Sequence, residues 1–201
     1  DFQGDWKLCQ NENNYGLGGS QKLTIKIACD EGYDALIVLH GDDQASPSDI
    51  SRLISIYKNK PKTVLGSRFM AGSILSGYQI VRALGNRALN FVFSIICLRR
   101  ISDLGSGLNL FRVNDLAQIE FTELSDSFNF NVDLLLKLIE IKAPLEFSPI
   151  HWSETDQVSN ARNFKVATSM LTSLIRWKMG IEGRRHLAKQ DLRTHLIASK
   201  A

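Results

Sequence analysis

An apolar run that ends in acidic and amide side chains, just before a proline, most strongly limits which folds this chain can adopt. Residues 35–39 predict a buried strand, and Ser46-Pro47-Ser48-Asp49 predicts the start of a helix. The apolar stripe of that helix would be formed by Ile50, Leu53, Ile54 and Tyr57. Open α/β sheets bind their ligands at strand ends of this kind. The run therefore favours an α/β sheet with a ligand site after this strand.

The side chains that follow the strand suit a divalent cation. On an extended backbone Asp42 and Gln44 would alternate and reach one cation from the same side, with Asp43 turned away. Such oxygen ligands are typical of Mg²⁺ or Mn²⁺ bound together with substrate phosphates. Asp42, Asp43 and Asp49 are also typical of turns and helix N-caps, so the spacing alone leaves both interpretations open.

Strand and helix patterns alternate along the chain, which predicts one α/β domain with a mostly parallel sheet covered by helices on both faces. The predicted strands are residues 6–9, 35–39, 63–66, 107–112 and 146–150. The predicted helices are residues 21–30, 47–59, 78–98, 131–142 and 163–179. The chain has 201 residues, of which 44% are hydrophobic, and this is enough for one sizeable core.

Three further segments accompany the loop at residues 40–46. They are Asn14-Tyr15-Gly16-Leu17-Gly18-Gly19-Ser20, Leu65-Gly66-Ser67-Arg68-Phe69 and the run of residues 103–112. In this order, over residues 6–177, the segments resemble the family 2 glycosyltransferases of the GT-A fold. The resemblance is strongest to the branch of dolichyl-phosphate mannosyltransferase and other polyprenyl-phosphate sugar transferases.

This resemblance implies a GT-A (Rossmann-like) fold, a nucleotide-diphosphate sugar as donor and inversion at the anomeric carbon. It places Mg²⁺ or Mn²⁺ on Asp42 and Gln44. His40 stands where the family has its first acidic residue. A neutral imidazole can still accept a hydrogen bond or ligate a metal, so we assign His40 to the donor site, with a structural role as the alternative.

The glycines before the first predicted helix fit neither the dinucleotide fingerprint nor the P-loop. A close backbone turn at Gly16 and Gly18 would let the chain pass near the donor sugar or diphosphate. A plain loop with Ser20 as helix N-cap is the alternative.

Ser67 and Arg68 follow a strand and are predicted at the ligand-binding edge of the sheet. The fork of donors on Arg68 suits a diphosphate or a lipid phosphate better than a lysine would. We therefore assign Ser67 and Arg68 to the donor site and Arg68 also to catalysis. The resemblance implies that Arg82 and Arg87 contact the phosphate of a lipid acceptor. Solvated surface arginines are the alternative.

Asp103 precedes the small residues Gly105, Ser106 and Gly107, which would let a buried loop pass close to the sugar. The resemblance places Asp103 and Ser106 on the acceptor side. A phosphate monoester is already ionised, so with that acceptor Asp103 would orient the sugar or an arginine. With a hydroxyl acceptor it is the first candidate for the general base. A turn-forming role is the alternative.

Residues 149–152 followed by residues 156–160 resemble the family's late active-site loop, which closes over the donor diphosphate. The family's Arg and Lys are absent from this loop. Arg162 and Lys165 are the nearest cations that could replace them.

Members of this family begin with a strand, a helix and a second strand that ends in an acidic loop, and this chain lacks them. It opens with Asp1, and residues 6–9 correspond to the family's third strand. We therefore expect a fragment without the first strands. Residues 1–180 would form a partial glycosyltransferase domain and residues 181–201 a basic C-terminal tail. Alone, the fragment is expected to show little turnover, because the absent strands would supply the nucleobase pocket.

Three widely spaced cysteines favour reduced thiols in a cytosolic setting. The net charge of +3 is too weak to argue for nucleic acid. Cations adjoin apolar residues at Arg99-Arg100, Arg176-Trp177-Lys178 and Arg184-Arg185-His186. This is typical of proteins on anionic lipid, although solvated helix faces explain it equally well. We predict a cytoplasmic protein or one peripheral to the cytoplasmic face of a membrane.

The sequence thus predicts metal-dependent transfer of a sugar from a nucleotide diphosphate to an acceptor, with a polyprenyl phosphate favoured. The alternative is a non-catalytic subunit or relic that binds a nucleotide or a partner through the same cleft. The absent strands and His40 favour the alternative, whereas Asp42, Gln44 and Arg68 favour the enzyme.

Overall fold

Fourteen helices and strands follow one another in the computed structural model, which describes residues 5–154, 160–181 and 193–200. The strands are β1 (Trp6–Asn11), β2 (Ala35–Leu39), β3 (Thr63–Ser67), β4 (Ile74–Ser76), β5 (Leu108–Arg112), β6 (Leu145–Pro149), β7 (His151–Ser153) and β8 (Thr194–Lys200). The helices are α1 (Gly16–Asp30), α2 (Ile50–Asn59), α3 (Ile80–Ile96), α4 (Val113–Leu116), α5 (Phe130–Glu140) and α6 (Asn160–Lys178). Short 3₁₀ turns lie at Pro47–Asp49 and Phe121–Glu123.

The central sheet has four strands in the order β2-β5-β3-β6. Strands β3 and β6 are parallel, whereas β5 is antiparallel to both β2 and β3. Two of the three pairings are therefore antiparallel, and the predicted mostly parallel sheet is not clearly present. A local apolar pattern predicts a strand but carries no information about its direction, so the reversal of β5 was not predictable.

Helices cover both faces of this sheet, as predicted. Val64 of β3 belongs to a cluster with Leu53 of α2, while the next residue, Leu65, belongs to a cluster with Phe130 of α5. Successive side chains of a strand point to opposite faces, so the two clusters lie on opposite sides of the sheet. The larger cluster also includes Ile25 of α1 and Leu174 of α6.

The five predicted helices and five predicted strands are all present, and all except β2 have shifted ends. The largest shift is at α1, which begins at Gly16 rather than at residue 21. The glycine-rich segment is its first turn, and the N-cap is Tyr15, so the alternative with Ser20 as N-cap is wrong. Residues 47–49 form a 3₁₀ turn ahead of α2.

Three strands were not predicted from the sequence. Strands β4 and β7 are three residues each and pair in parallel with one another. Strand β8 pairs antiparallel with β1 in a separate two-stranded sheet, with an irregularity between Leu8 and Cys9. Residues 194–200, assigned to a basic tail, are thus a strand. The predicted cations Arg184 and Arg185 lie outside the described residues.

Candidate active site

The loop at residues 40–46 leaves the end of β2 and lies against two other parts of the chain. The backbone N–H of His40 donates to the carbonyl of Gly107, 2.9 Å away. Further along, Ala45 pairs with Trp152, the N–H of Ser46 donates to the carbonyl of His151, and the N–H of Ser153 donates to that of Gln44. The loop is therefore fixed to the loop before β5 at one end and to β7 at the other.

His40 is half-buried, and its ring lies over Gly107. A Cβ on Gly107 would stand 3.1 Å from the ring, so glycine allows this contact. The Nε2 atom of His40 is 3.5 Å from Nε2 of Gln21. Burial lowers the pKa of His40, and the nearby charge of Asp42 offsets only part of this effect. His40 is therefore neutral near pH 7 and can accept a hydrogen bond or bind a metal.

Asp42 and Gln44 do not lie on an extended backbone. Asp43 between them has a φ of 58°, in the left-handed region, and Oδ1 of Asp42 accepts a hydrogen bond from the N–H of Gln44 at 3.2 Å. The alternation on which the metal prediction was built is therefore wrong, because the segment is a turn. The assignment of the metal to these two residues stays a prediction.

Asp49 lies in the 3₁₀ turn and at the N-cap position of α2, as one of the two interpretations predicts, and its buried carboxylate bonds to His151. Oδ2 accepts the backbone N–H of His151 at 2.6 Å, and Oδ1 lies 2.9 Å from its Nδ1. No side-chain capping bond of Asp49 to α2 is present. The pair ties the start of α2 to β7 and so supports the 40–46 loop.

Arg68 and Asp103, both assigned to catalysis, form a bidentate ion pair. Nε of Arg68 donates to Oδ2 of Asp103 and Nη2 donates to Oδ1, both at 2.8 Å. Oδ2 also accepts the backbone N–H of Arg68 at 2.9 Å, and Oδ1 accepts that of Gly105 at 3.1 Å. With four hydrogen bonds the carboxylate holds both the arginine and the turn at Gly105, which fits the orienting and the turn-forming interpretations. Its role in catalysis stays a prediction.

Three aromatic rings surround the guanidinium of Arg68. Its central carbon lies 4.9 Å from the ring centre of Trp152, 5.1 Å from that of Phe69 and 5.9 Å from that of Tyr78. Burial lowers the pKa of Arg68, but the charge and hydrogen bonds of Asp103 more than offset this and hold the pKa above its usual range. Arg68 is therefore a cation that is held in place by Asp103 and makes cation–π contacts with three aromatic rings.

The two predicted lipid-phosphate arginines differ in surroundings. Arg82 forms an ion pair with the buried side chain of Glu154 and lies 5.0 Å from the ring centre of Tyr78. Arg87 is exposed and lines a groove of about 520 Å³ together with Phe69 and Ser102. These groove residues adjoin Arg68 and Asp103 in sequence, so the groove lies beside the Arg68–Asp103 pair.

Ser67 and Ser106 are buried, and both hydroxyls bond within the protein. Ser67 Oγ donates to the carbonyl of Ser102 at 3.3 Å, and Ser106 Oγ donates to that of Leu108 at 3.0 Å. Ser106 lines an internal cavity of about 20 Å³ rather than the groove of Arg87. In this arrangement the two hydroxyls hold the loops, and their contacts with donor or acceptor stay predictions.

Gly16 and Gly18, assigned to the donor, lie against the loop before α5. A Cβ on Gly18 would stand 2.2 Å from the carbonyl oxygen of Ser125, and one on Gly16 2.6 Å from that of Asp126. Gly16 also has a φ of 72°. The N–H of Gly18 donates to the carbonyl of Asp126 at 2.8 Å. Close packing explains both glycines, and their donor role stays a prediction.

Sequence reasoning placed Trp152 in the late active-site loop without a specific contact, and it gave no role to several other residues of the site. Trp152, Tyr78 and Glu154 surround the two arginines, and Asn109 joins the loops beneath them. Oδ1 of Asn109 accepts the N–H of Gly66 at 3.2 Å, and its Nδ2 donates to the carbonyl of Ser106 at 3.1 Å. An asparagine between apolar residues in a predicted strand was the available signal for the last of these.

Part of the late loop lies outside the described residues. Neither residues 155–159 of this loop nor the side chain of Arg162 is among the parts of the chain that the structure describes. Lys165, the other cation proposed to replace the family's basic residues, is exposed on α6.

Proteins similar to this chain include one from Methanococcus voltae and one from Methanocaldococcus jannaschii. It is 23% identical over 173 residues to UDP-N-acetylglucosamine--dolichyl-phosphate N-acetylglucosaminyltransferase of Methanococcus voltae, a match that covers 85% of this chain and 69% of that protein. It is 25% identical over 174 residues to an uncharacterized protein of Methanocaldococcus jannaschii, which covers 86% of this chain and 72% of that protein. No model of a protein family matches the chain.

The first of these relatives is a glycosyltransferase by name, so the similarity supports the resemblance found in the motifs at a coarse level. Among the described residues, no helix is both long and apolar enough to cross a membrane. Within the same part of the chain, no group of three or more His, Cys, Asp or Glu side chains is arranged to hold a metal ion.

Proposed function

We propose that this protein transfers a sugar from a nucleotide-diphosphate donor to a polyprenyl phosphate of the dolichyl type, with inversion at the anomeric carbon. The observation that carries the proposal is the similarity to a dolichyl-phosphate sugar transferase over 85% of the chain. The ion pair of Arg68 and Asp103 beside an open groove supports it, because a fixed cation near a cleft suits a phosphorylated substrate.

The donor diphosphate would bind at the 40–46 loop with Mg²⁺ or Mn²⁺. Asp42 is exposed and Gln44 supplies an amide oxygen, so the donor set is made of hard oxygen ligands that fit such a cation. Two residues are too few for a protein-only site, which agrees with a cation that arrives with its diphosphate. When bound, the cation would offset negative charge on the leaving diphosphate. His40 would accept a hydrogen bond from the nucleotide in its neutral form.

Arg68 would bind a phosphate through Nη1, since Nε and Nη2 are held by Asp103. Asp103 then acts as a positioning residue. A phosphate monoester is already ionised near neutral pH, so the attacking oxygen needs no strong general base. The four hydrogen bonds of the Asp103 carboxylate support this role, because an acceptor so fully engaged is poorly placed to take up a proton.

The acceptor phosphate would approach through the groove of Arg87. This arginine is exposed, whereas Arg82 is paired with Glu154. We assign the first contact with the phosphate to Arg87. Arg82 would bind the phosphate second, once the phosphate displaces Glu154 from it. An exposed cation pays less desolvation on ligand binding than one that must first lose a buried partner.

A transfer assay with the product of the complete reading frame tests this function. Labelled nucleotide sugars, with UDP-N-acetylglucosamine first, would be supplied with Mn²⁺ and a water-soluble short-chain polyprenyl phosphate. We expect label to move into the organic phase only when the acceptor is present. Label that appears on a soluble sugar or protein instead would show that the acceptor class is wrong.

A non-catalytic nucleotide-binding subunit is the second candidate. His40 in place of an acidic residue favours it, because a neutral side chain leaves the 40–46 loop with less negative charge for a cation. Nucleotide binding without turnover for any donor and acceptor would support this candidate against the enzyme. For either function we propose a location at the cytoplasmic face of a membrane.

A further inference from the structure

Helix α3 exposes large apolar side chains along its whole length. Ile80, Val81, Leu84, Phe91, Val92 and Ile95 are all exposed. At about 100° per residue all six fall within about 120° around the helix axis, so they form one stripe about 23 Å long on a single side of the helix. The exposed side of a helix in water is normally polar, and a large exposed apolar patch marks an interaction site.

The stripe continues from α3 onto α6. Ile95 and Leu98 line a groove of about 370 Å³ with Ile175 and Met179. The same two residues also line the groove of about 520 Å³ that contains Phe91 and Arg87. Because the two grooves share Ile95 and Leu98, the exposed residues that line them are contiguous. The other exposed apolar residues lie on the same side of α3. We call this surface the α3/α6 face; it consists of Ile80, Val81, Leu84, Phe91, Val92, Ile95, Leu98, Ile175 and Met179.

Leu98, just after α3, is the most exposed large apolar residue of this face. It is 90% exposed and has a φ of 50°, in the left-handed region. Glycine or asparagine is favoured at such a helix end, because the Cβ of other residues comes too close to the following carbonyl oxygen in this region. A leucine at this position has two costs: its left-handed backbone conformation and the exposure of its apolar side chain to water. Burial of its side chain in an apolar environment would offset the second cost.

Cations line both grooves of the α3/α6 face. Arg87, Arg99 and Arg100 line its larger groove, and Lys178 lines the smaller one. Arg99 also donates hydrogen bonds to the carbonyls of Ala143 and Leu145. Residues 50–102 contain nine Lys or Arg and no Asp or Glu, and the sequence of α6 contains no acidic residue.

We infer that the α3/α6 face lies on an anionic membrane surface, with α3 in the plane of the headgroups and Phe91 and Leu98 inserted among the acyl chains. An apolar stripe bordered by cations, on helices whose own sequences contain no Asp or Glu, matches a layer with apolar chains below negative headgroups. The carboxylate of Glu154, which contacts α3, is paired with Arg82. The cations along both grooves favour negative charge on the partner, and a lipid surface supplies it more evenly than a protein of mixed charge. The inference extends the proposed function, since the groove of Arg87 beside Arg68 would then open toward the acceptor lipid.

Vesicle flotation tests the inference. The protein would be mixed with phosphatidylcholine vesicles with and without phosphatidylglycerol, and compared with the double variant Phe91→Ser/Leu98→Ser. Tyr33→Ser is the matched control, because Tyr33 is also an exposed large apolar residue but lies on the turn before β2. We expect the double variant to lose binding at least about tenfold and the control to match the wild type.

The variant Arg100→Gln tests whether positive charge contributes to vesicle binding. We expect this variant to bind vesicles with phosphatidylglycerol about fivefold more weakly and to bind pure phosphatidylcholine as the wild type does. Circular dichroism would establish that all variants are folded.

Absence of wild-type binding to anionic vesicles would overturn the inference, as would equal binding by the double variant and the control. A wild-type dimer that becomes monomeric in the double variant, without vesicle binding, would show that the face is a protein interface. Failure of this inference and failure of the proposed function can be distinguished. Transfer to a short-chain soluble acceptor without vesicle binding removes this inference alone, and vesicle binding without transfer removes the proposed function alone.

Discussion

The guanidinium of Arg68 and the carboxylate of Asp103 meet through two hydrogen bonds of 2.8 Å, and both side chains are largely removed from water. The pair joins the end of β3 to the loop before β5. Breaking a buried pair leaves the other charge without its partner, which costs far more than losing an exposed charge.

Asp103→Asn should therefore lower the free energy of unfolding by about 3 to 5 kcal/mol, because Arg68 would remain buried without a counter-charge. Urea unfolding followed by circular dichroism measures this. Asp42→Asn is the control and should change stability by less than about 0.5 kcal/mol, since Asp42 is exposed. Equal stability of the two variants would contradict the structural role of the pair.

Local patterns predicted much of this fold, because they depend on residues close together in sequence. The apolar run of β2 and the stripe of α2 were found in this way. Strand β7 was missed, because three residues carry no periodicity and its partners are distant. The bond between Asp49 and His151 joins residues 102 positions apart, and no local signal identifies it.

The sequence predicted several residues of the candidate site, but it did not predict the contacts between them. Arg68 and Asp103 were each assigned to the site from neighbouring residues and family resemblance. Their direct pairing depends on the antiparallel course of β5, which the sequence does not specify. Gly18 was interpreted as making room for a ligand, although the loop at Ser125 fills the space beside it. A sequence shows that a glycine is present but not what approaches it.

Gly18→Ala should destabilise the protein by more than about 1 kcal/mol, because its Cβ would stand 2.2 Å from the carbonyl oxygen of Ser125. Thermal unfolding measures the effect. Gly85→Ala is the matched control in α3, where a Cβ meets no atom within 4 Å. It should stabilise the protein by about 0.5 to 1 kcal/mol through helix propensity. Similar effects of the two substitutions would contradict the packing role of Gly18.

His40 should contribute to the pH dependence of stability. Burial lowers its pKa in the folded state from the usual 6.5, so below that pH the unfolded chain binds a proton that the folded protein does not. Stability should therefore fall as the pH drops below 6.5, until the folded pKa is passed. In His40→Gln the fall over this window should be shallower. Denaturant unfolding at a series of pH values measures it, and parallel curves for both proteins would count against a buried neutral His40.

Asp42→Ala should lose most Mn²⁺-dependent binding of a nucleoside diphosphate, because it removes the carboxylate assigned to the cation. Asp43→Ala should keep most of it, since Asp43 is the adjacent carboxylate in the same turn. Titration calorimetry with and without Mn²⁺ on the product of the complete reading frame measures both variants. Equal losses would show that the metal assignment is wrong.

The mass of the lipid product tests the central claim most directly. The product of the complete reading frame would be incubated with UDP-N-acetylglucosamine, Mn²⁺ and a short-chain polyprenyl phosphate, and the lipid extracted for mass spectrometry. We predict a polyprenyl phosphate that carries one added sugar, formed in equal amount to the nucleoside diphosphate released. Unchanged lipid with every nucleotide sugar supplied, from a protein that still binds the nucleotide, would contradict the proposed transferase.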